Sequence, residues 1–155
     1  MAAKYIVGMD LGTTNSVLAY TPLDVEEPKV QVLSIPQLVA AGTTESRTML
    51  PSFLYLAHSQ EVASGAYDMP WASGRTFAVG EVARRQSAEV PDRTVGAAKS
   101  WLAHSRVDRH QPILPWNAPA DVPKVSPVVA AQRYLEHLIA AWESAFPDAP
   151  VAEQV

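Results

Sequence analysis

The chain contains no cysteine, which excludes disulfides and thiolate metal sites and accords with a reducing compartment. It has no uninterrupted apolar run near the ~20 residues that a membrane-crossing helix needs. Met1-Ala2-Ala3-Lys4 leads straight into the first apolar stretch, without the apolar core of a signal peptide. A cytoplasmic protein with no membrane role is therefore expected. No block of Lys and Arg interrupts a formal net charge of −4, so no general affinity for nucleic acid is expected either. What remains is the balance of a globular protein, 155 residues with 48% hydrophobic and 18% charged side chains, a length that suits one ordinary domain.

The most informative stretch lies near the start. Tyr5-Ile6-Val7-Gly8-Met9 and Val17-Leu18-Ala19-Tyr20 are rich in β-branched and aromatic residues, and Asp10-Leu11-Gly12-Thr13-Thr14-Asn15-Ser16 separates them. The pattern predicts a β-hairpin with a tight turn at Gly12. Gly12 lets the backbone approach an anion closely, successive amides from Thr13 to Ser16 can form a concavity, and the threonine hydroxyls add donors. Asp10 has the wrong charge to touch phosphate, so its natural partner is a hydrated Mg²⁺ that accompanies a nucleotide. Asp-x-Gly between apolar runs also makes an ordinary hairpin turn.

The stretch Gly8 to Ser16 resembles the first phosphate loop of the actin-like ATPase superfamily, and Asn15-Ser16 after two threonines is similar to the bacterial form of the heat-shock 70 kDa chaperones. Three further segments resemble that branch: Arg47-Thr48-Met49-Leu50-Pro51-Ser52-Phe53, Val79-Gly80-Glu81-Val82-Ala83-Arg84-Arg85-Gln86, and Pro91-Asp92-Arg93-Thr94-Val95-Gly96-Ala97-Ala98-Lys99. The resemblance implies an α/β fold: part of an actin-like (ribonuclease H-like) lobe, with a mixed sheet, a phosphate-binding β-hairpin and an inserted α+β subdomain. Residues 1–35 and 125–155 would form an incomplete core lobe, residues 36–124 the insertion, and the second lobe and the peptide-binding domain would be absent.

The same resemblance assigns roles. ATP or ADP with Mg²⁺ would be held by Asp10, Gly12, Thr13, Thr14 and Asn15, with Asp10 contacting the metal through water. Lys99, Asp10 and Thr13 would serve hydrolysis, Lys99 reaching the terminal phosphate. Family members carry arginine directly after that lysine, where this chain has Ser100. Unfolded peptides and co-chaperones would be partners of the complete protein, and this chain alone would bind ATP weakly and hydrolyse it negligibly. A sugar kinase of the same superfamily and a non-catalytic interaction module are the alternatives.

Along the rest of the chain, residues 29–35 predict a third strand completing a meander, residues 36–50 a loop, and residues 53–56 and 77–79 two more strands. Residues 57–76, where the family has a short turn, are expected as an exposed loop; the alternative is a partner contact through Tyr67, Met69 and Trp71. Thr94 is expected to cap a helix buried along Val95, Ala98, Trp101 and Leu102, with Lys99 on its flank. Pro112, Pro115, Pro119 and Pro123 rule out a helix over residues 104–125. His58, His104, His110 and His137 are expected as surface residues without metal. Ser126-Pro127 starts the clearest helix, with Ala131, Leu135, Leu138, Ile139, Trp142 and Phe146 inward, Arg133, Glu136 and Glu143 outward, and Pro147 at its end. Residues 151–155 look like the start of another strand, an expected truncation.

Overall fold

The computed structural model describes residues 2–155. Along the chain run β1 (Tyr5–Leu11), β2 (Asn15–Pro22), β3 (Gln31–Val32), β4 (Ile35–Ala40), β5 (Thr43–Arg47), β6 (Leu50–Pro51), β7 (Leu54–Leu56), α1 (Ser59–Ser64), β8 (Phe77–Val79), α2 (Glu81–Glu89), β9 (Thr94–Val95), α3 (Ala98–Leu102) and α4 (Pro127–Ala145). Among the described residues this is a mixed α/β protein with three antiparallel sheets and four α-helices. No helix among them is long and apolar enough to cross a membrane.

β1 and β2 pair in unbroken register from Tyr5↔Pro22 to Leu11↔Ser16. Their alternation explains which face is covered: Tyr5, Val7, Met9 and Leu11 pack on the core, while Ile6, Gly8 and Asp10 stay exposed. The other edge of β2 takes β3 beside Ala19 and Tyr20 and β6 beside Asn15 and Ser16. On the free edge of β1, Val155 donates its amide to the Tyr5 carbonyl and accepts from the Val7 amide.

α4 begins as its sequence dictates, with the Ser126 hydroxyl accepting from the Val129 amide and Pro127 in the first turn. It closes the main core, where Leu18, Leu50, Leu54, Val79, Tyr134, Leu138 and Trp142 meet. A second cluster gathers Leu38, Tyr55, Tyr67, Met69, Ala78, Val82 and Ala83.

Five expectations are corrected. The expected third strand does complete the meander beside β2, though it is short, Gln31–Val32 with the Leu33 amide donating to the Leu18 carbonyl at 2.8 Å, whereas residues 36–50 contain most of the β4–β5 hairpin instead of a loop. A bulge between Leu38 and Ala40 lets both Leu38 and Val39 turn inward, which breaks the alternation that would have announced a strand. Thr94 caps no helix. It lies in β9, paired with Tyr55, and α3 starts only at Ala98 after Ala97 adopts a left-handed φ of 53°. Residues 57–76 are not an exposed loop, nor do Tyr67 and Met69 offer a partner surface. Both are buried, and the Tyr55 and Tyr67 hydroxyls each donate to Glu61 at 2.9 Å while the His58 amide donates to it at 2.7 Å. Burial acts to raise the Glu61 pKa, but these three donors outweigh it and hold the carboxyl below its usual range.

The fourth correction concerns α4, whose fully buried face runs through Ala130, Tyr134, His137 and Ala141 and shares only Leu138 and Trp142 with the expected stripe. His137 is therefore a core residue rather than a surface one, its Nε2 2.8 Å from the Pro36 carbonyl. Fifth, Val151–Glu153 forms a 3-10 turn where the start of a strand was expected.

Candidate functional site

The β1–β2 turn is held from behind by one serine. The Ser52 amide donates to the Thr14 carbonyl at 2.8 Å, and the Ser52 hydroxyl donates to the Gly12 carbonyl at 2.8 Å. With that proton used, the buried Ser16 hydroxyl 3.0 Å away must be the donor to Ser52 Oγ. The Gly12 and Thr14 carbonyls are thus occupied, whereas the Thr13 and Thr14 amides donate to no group among the described residues. Thr13 and Thr14 are exposed. Gly12 is required by space, because a Cβ there would collide with the Asn15 carbonyl oxygen.

Replacing Ser52 with alanine leaves the Gly12 carbonyl and the buried Ser16 hydroxyl short of partners. The expected destabilisation is about 1–3 kcal/mol, read by urea unfolding. A midpoint equal to wild type would show that the loop does not depend on this serine.

Asp10 is exposed on the open face of the sheet, opposite Val17, and among the described residues its carboxylate makes no hydrogen bond or ion pair. Among the described residues no group of three or more His, Cys, Asp or Glu could hold a metal ion. A free single carboxylate fits a metal held through its water shell and does not fit one stripped of water. Lys99 is exposed on α3, and its side chain makes no hydrogen bond among the described residues.

Beside the loop lies an open depression of about 550 Å³ lined by Thr14, Asn15, Arg47, Thr48, Met49, Pro51, Glu81 and Arg84. The structure brings Thr14 and Asn15 into it, but not Asp10, Gly12, Thr13 or Lys99. Its anchor is the Glu81 carboxylate, whose side chain is only 4% exposed. Arg84 grips it bidentately, Nε to Oε2 at 3.0 Å and Nη2 to Oε1 at 2.9 Å. Arg85 Nε donates to Oε1 at 3.0 Å, and Arg47 Nη1 stands 3.7 Å from Oε2. Arg84 is the main cause that holds the Glu81 carboxyl below its usual range, against the opposing effect of burial. The Glu81 amide donates to Gln37 Oε1 at 3.1 Å and Gln37 Nε2 donates to the Met49 carbonyl at 2.9 Å, tying α2 to β4 and the β5–β6 turn.

Sequence reasoning gave Arg47, Glu81 and Arg84 no role. Glu81 with Arg84 and Arg85 has the i, i+3 and i+4 spacing of ion pairs along a helix, which announces a cluster but not its position beside the loop. For Ser52 no local signal exists, because its partners are 36 and 40 residues away. No family model matches this chain.

Proposed function

We propose that this chain is the phosphate-binding lobe of an actin-like ATPase of the heat-shock 70 kDa chaperone type, forming one side of a cleft for ATP or ADP with Mg²⁺. The observation that carries the reading is the loop itself: Ser52 ties back the Gly12 and Thr14 carbonyls, and the exposed Thr13 and Thr14 amides have no partners among the described residues. Such amides with adjacent hydroxyls suit the oxygens of a phosphate chain.

In this reading Thr13, Thr14 and Asn15 hold the phosphates and Gly12 admits them to the backbone. Asp10 accepts hydrogen bonds from water molecules around the metal, and Lys99 stabilises charge on the terminal phosphoryl group while an in-line water attacks. Mg²⁺, when bound, supplies neutralisation of phosphate charge. Unfolded peptides and co-chaperones are partners of a complete chaperone, through parts outside residues 1–155.

Titration with Mg-ATP, followed by amide NMR, is the test. The expected result is a millimolar dissociation constant with shifts concentrated on Gly12 to Ser16 and lost in Gly12→Ala. No shifts at ~10 mM nucleotide, an energy of only about 3 kcal/mol, would overturn the reading, and a low-micromolar constant would overturn its weak-binding part. In a complete protein containing this chain, Lys99→Ala is expected to abolish phosphate release and spare nucleotide binding; retained turnover would remove Lys99 from the mechanism.

A further inference from the structure

The depression beside the loop carries two guanidinium groups, Arg47 and Arg84, against one carboxylate, Glu81. Glu45 pairs with Arg47 from outside that lining, so the cluster's one excess positive charge comes from Arg85, the third guanidinium on Glu81, and the arrangement is built rather than incidental. Glu81 is almost wholly buried, whereas the Arg47 and Arg84 side chains are 37% and 54% exposed, so the carboxylate acts as an internal clamp that holds two cations at the rim. Arg84 uses Nε and Nη2 on Glu81, and Arg47 uses Nη2 on Glu45 at 3.0 Å. Among the described residues the Nη1 group of Arg84 donates to no protein atom. Thr14 and Asn15 of the loop share the same depression.

We propose that Arg84 and Arg47, clamped by Glu81, form the cationic wall of a phosphate-chain subsite that continues the Gly12–Ser16 loop into this depression. A chain of phosphates leaving the Thr13 and Thr14 amides meets guanidinium groups whose planar forks suit its oxygens. The ligand class is a di- or triphosphate, whose successive phosphates can engage the loop and the arginines together. The nucleotide carried by that chain rests on the function proposed above, whereas the phosphate subsite rests on the arginines alone.

Arg85 provides an internal control. It has the same charge, sits on the same helix and binds the same carboxylate, but it lines a different depression with Val39, Ala40, Ala41, Val82, Gln86 and Glu89. The full chain is titrated with inorganic pyrophosphate and separately with Mg-ATP, observing backbone amides and arginine Nε–H groups by NMR. Pyrophosphate is expected to shift Thr13, Thr14 and the Arg84 Nε–H. Arg84→Gln and Arg47→Gln are each expected to weaken it about tenfold, as loss of a charge-assisted hydrogen bond implies, and Arg85→Gln less than about twofold.

Equal weakening by Arg85→Gln would reduce the effect to general charge and overturn the subsite, as would absence of pyrophosphate binding. Mg-ATP binding that is indifferent to Arg84→Gln and Arg47→Gln would overturn the subsite and leave the nucleotide reading standing. Arginine-dependent binding of pyrophosphate without any binding of Mg-ATP would uphold the subsite and overturn the nucleotide reading. Retention of wild-type amide dispersion in each variant separates lost contacts from lost folding.

Discussion

Trp142→Ala is expected to remove most of the protein's stability. The indole is fully buried on α4 and forms the hub of an aromatic cluster, with ring centroids 5.4 Å from Tyr5, 5.4 Å from Tyr20 and 4.3 Å from Phe146. Tyr5 and Tyr20 come from the two strands joined by the turn over residues 12–15, so the cluster is what fastens α4 to that hairpin. Truncating a buried aromatic side chain costs about 3–5 kcal/mol. The indole Nε1 also donates to the Ala149 carbonyl at 2.7 Å, and leaving that buried acceptor unpaired adds about 1–3 kcal/mol. The sum is comparable with the roughly 5–15 kcal/mol that holds an ordinary domain folded. Trp142→Phe keeps much of the ring area and loses the donor, so it should fall in between. Urea unfolding monitored by circular dichroism distinguishes the three, and a wild-type midpoint for Trp142→Ala would mean that the hairpin is held by something other than this cluster.

The second large effect is acid sensitivity through His137. Burial, aided by the nearby Arg75 charge and opposed by the bond to Pro36, takes this imidazole down to about 4. The Pro36 carbonyl can only accept, so Nε2 carries the proton, and Nδ1 is left buried without a partner. An unfolded histidine takes up its proton at about 6.5. Between these two values the unfolded chain holds more protons than the folded one. The contribution is therefore fully present above pH ~6.5 and is lost as the pH falls toward 4, by about 3 kcal/mol in all. This window lies above that of Glu61 and Glu81, whose carboxyls are held low and whose contributions are lost only at more acid pH. His137→Gln can still donate to Pro36 and cannot ionise, so its stability should be nearly flat between about pH 6.5 and 4.5, where the wild type declines. Equal slopes for the two proteins would place the acid sensitivity elsewhere.

His137 also shows where sequence reading stops. On the helix it follows Glu136 and reads as part of the polar face, and the stripe through Ala131, Leu135 and Ile139 is the natural choice for burial. α4 is apolar over a wide arc, and which part of that arc is covered depends on the strands that approach it. Here β4 supplies the Pro36 carbonyl to His137, and Trp71 packs edge-on against the ring at 5.4 Å. The hidden β4–β5 hairpin has a related cause. β5 is largely exposed and polar, and Gln37 in β4 is fully buried, so pairing and a satisfied side chain, rather than propensity, make these residues a strand.

What the sequence determined by itself is what local interactions decide. The β-branched and aromatic runs over residues 5–9 and 17–20 specified the first hairpin, Gly12 its tight turn, and Ser126-Pro127 and Pro147 the ends of α4. Each of these depends on residues a few positions apart, whose preferences act before any tertiary contact forms. The tertiary structure alone decided which helix face is buried, that Ser52 holds the loop, and that Arg47 and Arg84 share a depression with Thr14. Those outcomes join segments far apart in the chain, and burial and charge proximity are properties of pairs of elements that neither element carries alone.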